Sequence, residues 1–193
     1  MEKRTGLITG GSEGIGFEIA KQFAINKYQL ILVARNEEKL AHAYTQLSPY
    51  TKVLTIPIDL LCSQNMKVDI LVNNAGTGLE GAFQSLSLEK QIQMIQLNIN
   101  ASTELTYYFV QDMVERKYGR IVNLSSISGP IPTPKMAIYS GTKAFVLNFS
   151  QALHTELKNQ GDIVVTAVCA GPTKTEFTIT GSMKSLSNMT NKI

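Results

Sequence analysis

Within its first sixteen residues the chain passes from an apolar stretch to a cluster of glycines and then to a segment of helical periodicity, an order that leaves few folds open. Residues 4–9 read as a short buried strand. Gly10, Gly11, Ser12, Glu13, Gly14, Ile15 and Gly16 follow at once, and Ile19, Ala20, Phe23 and Ala24 then recur on one helix face. A strand, a glycine turn and a helix N-terminus together make an anion site. Backbone N–H groups and the positive end of the helix dipole meet a phosphate that no side chain holds off. A glycine cluster alone is often only a tight turn, but at the head of an alternating chain it points to dinucleotide binding.

The alternation persists. Residues 28–34 read as a second strand and 36–47 as a helix stopped by Ser48 and Pro49. Residues 52–58 make a third strand ending at Asp59 and Leu60, and 68–73 a fourth that runs into Asn74, Ala75 and Gly76. The pattern over 87–117 is mainly helical, with a bend near 98–101. A fifth strand, 121–124, ends at Ser125 and Ser126; a helix covers 139–158; a sixth strand, 163–169, leads into Gly171, Pro172, Thr173 and Thr175. Strands alternating with helices predict an α/β fold, a doubly wound parallel sheet in a single domain over 1–193, with 174–193 a partial substrate-loop region. Ligands in such sheets bind beyond the carboxyl ends of the strands. The glycine turn, Arg35, Asp59, Asn74, Ser126 and Thr173 all fall there, and a random scatter of polar residues would not select one edge.

Between Asp59 and Val68 stand only eight residues, where a parallel crossover needs a dozen or more. The stretch is either an abbreviated crossover or a join across residues absent from the sequence. The Ser-, Asn- and Met-containing tail from Thr180 reads as loop-like.

Charge and cysteine usage exclude some functions. A net charge of +3 without a basic block argues against a nucleic-acid partner. Cys62 and Cys169 lie far apart and read as free thiols in a reducing compartment, Cys169 buried and inert. His42 and His154 have no metal-like partner, so no metal site is expected. With no apolar run long enough to span a bilayer and no charged-then-apolar leader before the first strand, the expectation is a cytoplasmic protein with no membrane partner.

Two further residue patterns carry chemistry. Tyr139 and Lys143 are four apart, hence on one face of a helix. At about 4 Å and an effective dielectric of roughly 20, an ammonium favours a phenolate by on the order of 4 kcal/mol, which predicts a Tyr139 pKa drawn down toward neutrality. The same spacing also suits an ordinary amphipathic pair with the lysine stem over the ring. Arg35 follows the second strand, where the adenosine ribose is met, and no acid appears before Glu37. A planar guanidinium suits a 2′-phosphate, so NADP(H) fits better than NAD(H), with Glu13 in the glycine turn as a counter-signal and a solvated loop charge as the plain alternative.

With these residues in hand, the chain resembles the short-chain dehydrogenase/reductase family over roughly residues 3–178. Thr9-Gly10 through Gly14-Ile15-Gly16 is similar to its cofactor turn, Asn73-Asn74-Ala75-Gly76 to its fourth-strand motif, and Tyr139 with Lys143 to its catalytic helix. Ser126, thirteen residues before Tyr139, matches the catalytic serine, ahead of Ser125 and Ser128; Asn98 matches the fourth catalytic position. Gly171 to Thr175 resembles the loop that holds the nicotinamide, with Ala170 where a proline is usual. The resemblance implies hydride transfer between NADP(H) and a carbonyl or alcohol, with Tyr139 as general acid/base, Ser126 on the substrate oxygen, Lys143 on the nicotinamide ribose and Asn98 carrying a water to Lys143. It implies cofactor contacts from Gly10, Gly11, Ser12, Glu13, Gly14, Ile15, Gly16, Arg35, Asp59, Leu60, Asn74, Ala75, Gly76, Tyr139, Lys143, Gly171, Pro172, Thr173 and Thr175. It also implies a homodimer or homotetramer, a small-molecule substrate, and a lid and C-terminal strand that are short or missing here. Thr77, Leu79, Met136, Ile138 and Phe177 are candidates for an apolar substrate pocket. A dinucleotide-binding sensor or scaffold without turnover is the alternative; a sugar-nucleotide epimerase or dehydratase of related fold needs a larger substrate domain than the chain carries.

Overall fold

In the computed structural model, which describes residues 3–57 and 66–173, six parallel strands form one sheet in the order β3-β2-β1-β4-β5-β6. The strands are β1 (Thr5–Thr9), β2 (Gln29–Ala34), β3 (Val53–Pro57), β4 (Ile70–Asn73), β5 (Tyr118–Ser126) and β6 (Asp162–Ala170). Helices α1 (Gly14–Ile25), α2 (Glu37–Leu47), α3 (Leu88–Ile95), α4 (Ser102–Glu115) and α5 (Ala137–Leu157) cover its two faces. This is a Rossmann-like α/β domain. Strand order reverses at β1, which pairs with β2 through Leu7↔Ile31 on one side and with β4 through Leu7↔Leu71 on the other. In a sheet of this topology the crevice that receives a ligand opens at that reversal.

Two apolar layers hold the helices to the sheet. Leu7, Val33, Leu71, Ile121 and Val165 pack with Leu105, Met113 and Leu157 on one face. Ile8, Leu32 and Val72 pack with Ala20, Ala24, Leu40 and Leu47 on the other. Central strands buried on both faces are why β1, β2 and β4 read as continuous apolar runs. At the edge opposite the ligands, Arg116 donates to Asp69 Oδ1 at 2.7 Å and to the Val68 carbonyl at 2.7 Å, while Asp69 Oδ2 accepts from Thr5 N at 2.8 Å, tying α4 to the starts of β1 and β4.

Segment 88–115 is one helical run interrupted by a π-helical turn, Gln96–Ala101. The wider turn frees carbonyls, and Ser102 Oγ donates to Asn98 O at 3.0 Å and Thr103 Oγ1 to Ile99 O at 2.8 Å. The bend expected near 98–101 is this feature. The strands are displaced by a few residues from the expectation. β5 runs from Tyr118 to Ser126 rather than 121–124, because it pairs with β6 along its full length, from Tyr118↔Asp162 to Ser126↔Ala170. β4 begins at Ile70, with Val68 and Asp69 buried ahead of it. Asp59, Leu60, Thr175 and Phe177, the short crossover, Cys62 and the tail lie outside the described residues.

Candidate active site

The ends of β1, β2, β4, β5 and β6 open into a cleft of about 420 Å³. At its phosphate end, Gly10 (φ 63°) and Gly14 (φ 57°) occupy the left-handed region that favours glycine. Gly16 is required by proximity: a Cβ there would collide with the Gly10 carbonyl and the Asn74 amide. Asn74 Nδ2 donates to the carbonyls of Thr9 and Gly10 at 3.0 and 3.2 Å, so its amide is a buttress of the turn. Thr9 Oγ1 accepts from the backbone N–H groups of Asn74 and Ala75, each at 3.0 Å, and donates to Val72 O at 3.4 Å, clasping β1 to β4. Thr9 opens the motif in the sequence, but its spacing there gave no sign of this clasp to β4.

At the adenosine end Arg35 is exposed and lines the cleft beside Ser12, Glu13, Ala34 and Asn36. Asn36 caps α2, its Oδ1 accepting from Lys39 N at 2.9 Å. Lys39 Nζ sits 2.6 Å from Glu13 Oε2. The acid that spoke against a 2′-phosphate is therefore ion-paired by a lysine that the sequence, 26 positions on, gave no reason to connect to it.

At the catalytic end α5 carries Tyr139 and Lys143 into the cleft, and β5 delivers Ser126, whose side chain hydrogen-bonds to Tyr139. Ser126 Oγ also accepts from Ser128 N at 3.1 Å. Ser125 Oγ is committed elsewhere, donating to the Lys143 carbonyl at 2.7 Å and so pinning α5 to β5. Tyr139 packs with Met94 and Met136, against Leu79 and Ile138. Of the expected substrate-pocket residues, Thr77 and Met136 line the cleft, whereas Leu79 and Ile138 line a smaller adjoining hollow behind Met136. Gly171, Pro172 and Thr173 line the cleft from the end of β6.

The electrostatics correct one expectation. Burial pushes the Tyr139 phenol above its usual pKa, against the opposing hydrogen bond to Ser126. Lys143 does not draw it down: its Nζ lies 5.9 Å from the ring centroid and donates to the Leu124 carbonyl at 2.7 Å. Burial lowers the lysine itself to about 8. The Asn98 side chain is held by protein partners. Nδ2 donates to Thr77 O at 2.9 Å and Thr142 Oγ1 at 3.0 Å, and Oδ1 accepts from Thr77 N at 2.9 Å. Cys169, expected to be buried, is exposed. It continues the inward face of Ile163 and Val165 but lies at the ligand edge, opposite Ser125 in the register. Among the described residues no cluster of His, Cys, Asp and Glu could hold a metal ion, and no helix is long and apolar enough to cross a membrane.

A sequence model of the family described as short chain dehydrogenase matches residues 4–184. The chain belongs to that family. It is similar to a very-long-chain 3-oxoacyl-CoA reductase of Coprinopsis cinerea, 34% identical over 174 residues, covering 82% of this chain and 51% of that protein. The chain thus spans about half the length of that reductase. It is also similar to a probable NADP-dependent dehydrogenase of Haemophilus influenzae, 36% identical over 92% of this chain and 75% of the other. Among solved structures, a short-chain dehydrogenase from Sphingobium yanoikuyae in complex with NADPH superposes with a TM-score of 0.87 at 35% identity, covering 92% of this chain and 74% of that one. Membership makes the chain an oxidoreductase-family protein with NAD(P)-dependent dehydrogenases and reductases as its homologues.

Proposed function

We propose that the protein is an NADP(H)-dependent reductase or dehydrogenase that interconverts a small carbonyl compound and its alcohol, with Tyr139 as general acid/base. The observation that carries this reading is the hydrogen-bonded Ser126–Tyr139 pair standing in the same cleft as the glycine turn and Lys143. The fit to a dinucleotide rests on the turn itself, where Gly10 and Gly16 leave no room for a Cβ and the N-terminus of α1 faces the cleft. NADP(H), when bound, supplies the hydride. Gly10 to Gly16 would hold its pyrophosphate, Arg35 its 2′-phosphate, Asn74 to Gly76 the adjoining ribose, and Lys143 with Gly171 to Thr173 the nicotinamide end. Arg35, with the Glu13 charge paired to Lys39, favours a 2′-phosphate over a free hydroxyl. The similar Sphingobium structure is a complex with NADPH.

The side chains divide the proton chemistry. Tyr139, held protonated by burial, is suited to donate to an alkoxide developing on the substrate oxygen, while Ser126 hydrogen-bonds the same oxygen and fixes its place. Lys143, lowered to about 8 by burial and anchored on the Leu124 carbonyl, would hold the nicotinamide ribose hydroxyls beside the phenol. Met136 and Thr77 present a largely apolar wall to the substrate, which suits an apolar aldehyde, ketone or quinone.

The test is to follow NADPH absorbance at 340 nm with a panel of aldehydes, ketones and quinones. Oxidation of NADPH that is lost in Tyr139→Phe, while NADPH binding persists, supports the reading. NADPH binding without turnover across the panel favours a non-catalytic dinucleotide binder, and retained activity in Tyr139→Phe overturns the role given to the phenol.

A further inference from the structure

Thr142 sits between the two residues that the motif names, one position before Lys143 on α5, and is 2% exposed. It has one hydroxyl proton and two neighbours at hydrogen-bond distance: Asn98 Nδ2 at 3.0 Å and the Tyr139 carbonyl at 2.7 Å. The polarity of this chain is forced. Thr77 offers Asn98 a backbone N–H and a backbone carbonyl, whose roles cannot reverse, so Asn98 Oδ1 must face the first and Nδ2 the second. The remaining Nδ2 proton then points at Thr142, whose oxygen accepts it, and the Thr142 proton has only the Tyr139 carbonyl to go to. A directed run of hydrogen bonds therefore links the loop after β4, the π-helical turn and the first turn of α5.

The other end of the Asn98 amide faces the lysine. A Cβ placed on Gly76 would lie 3.1 Å from Asn98 Oδ1 and 3.5 Å from Lys143 Nζ, so the two atoms flank one small volume over that glycine. An amide turned the other way would present its N–H groups to an ammonium that is 6% exposed. We propose that Thr142 is a positioning residue for the reaction: its hydroxyl ties Asn98, whose orientation Thr77 sets, to the turn of α5 that carries Tyr139. This rests on the catalytic reading of Tyr139 and Lys143 above. Removing the hydroxyl leaves a buried N–H of Asn98 without an acceptor and cuts the only side-chain link between the π-helical turn and α5 among the hydrogen bonds of the described residues.

The experiment compares Thr142→Val, Thr142→Ala and Thr142→Ser with Tyr139→Phe, using NADPH and the carbonyl compound of the panel that turns over fastest. Thr142→Val is expected to lower kcat by roughly 10- to 100-fold, the scale of a misplaced catalytic group, with the KM for NADPH changed by less than about threefold. Thr142→Ser, which keeps the hydroxyl, should recover most of the loss. Thr142→Ala should match Thr142→Val, which separates loss of the hydroxyl from any crowding by the valine methyl. Asn98→Ala combined with Thr142→Val should be no slower than the slower single variant, because both cut the same link. A wild-type kcat in Thr142→Val and Thr142→Ala, a failure of Thr142→Ser to recover activity, or additive losses in the double variant overturns the proposal. Those outcomes alongside an inactive Tyr139→Phe sink the positioning role alone, whereas an active Tyr139→Phe sinks the reading on which it rests.

Discussion

The two ends of the cleft are built on opposite principles. At the end beside β2, proposed to take the adenosine, Arg35, Glu13 and Lys39 are exposed or half-exposed side chains, the last two joined as a surface ion pair. At the catalytic end Asn98, Ser126, Tyr139, Thr142 and Lys143 are all buried, and each is held by hydrogen bonds to backbone or to one another. An exposed ion pair is worth about 0–1 kcal/mol and is screened by salt, whereas a buried donor or acceptor left unpaired costs about 1–3 kcal/mol. On the proposed reading, cofactor preference is adjustable one side chain at a time, while the proton-transfer apparatus tolerates little.

Substitutions can break or sharpen that contrast. The largest effect is expected from Tyr139→Phe, which should lower kcat by about a thousandfold or more while the dissociation constant for NADPH, read by fluorescence titration, hardly moves. Ser126→Ala removes the hydroxyl that meets Tyr139 and should cost roughly a hundredfold in kcat. At the other end, Arg35→Asp should shift the ratio of kcat/KM for NADPH over NADH toward NADH by about ten- to a hundredfold, leaving kcat with the preferred cofactor within severalfold. An unchanged ratio would remove Arg35 from the contrast altogether. The smallest change belongs to Lys39→Met, which unmasks Glu13 and should weaken NADPH by no more than about fivefold, an effect that 0.5 M salt should largely erase.

A pH experiment probes the buried end without turnover. Lys143 has a folded-state pKa of about 8 against 10.5 for the free side chain, so between those values the unfolded chain binds more protons than the folded one. Stability contributed through this group accordingly rises as pH increases from about 8 to about 10.5. The difference in unfolding free energy between wild type and Lys143→Met, measured in denaturant at several pH values, should move in that sense across the window.

Much of this was legible in the sequence. The alternation of apolar runs and helical periodicity sufficed for the parallel sheet, since central strands buried on both faces announce themselves in composition. The gathering of the glycine turn, Arg35, Asn74, Ser126 and Thr173 at one edge followed from the sheet rule alone, with Asp59 outside the described residues. What sequence could not supply was the partner of each polar atom. Spacing placed Lys143 one turn from Tyr139 but could not reveal that its ammonium reaches the Leu124 carbonyl, so the sign of the Tyr139 shift came out reversed. Lys39 meeting Glu13, Thr9 clasping β4 and Thr142 meeting Asn98 are likewise contacts between elements distant in the chain, and nothing in local pattern encodes them.

The widened turn at Gln96–Ala101 has a consequence for how the gene can change. The π-helical turn takes up one residue more than regular winding would, so a one-codon deletion there would restore an ordinary helix with its flanks nearly in register but would remove the bulge that sets Asn98 against Thr77. Substitutions along this helix are tolerable in many places, whereas its length at this point is not free to drift.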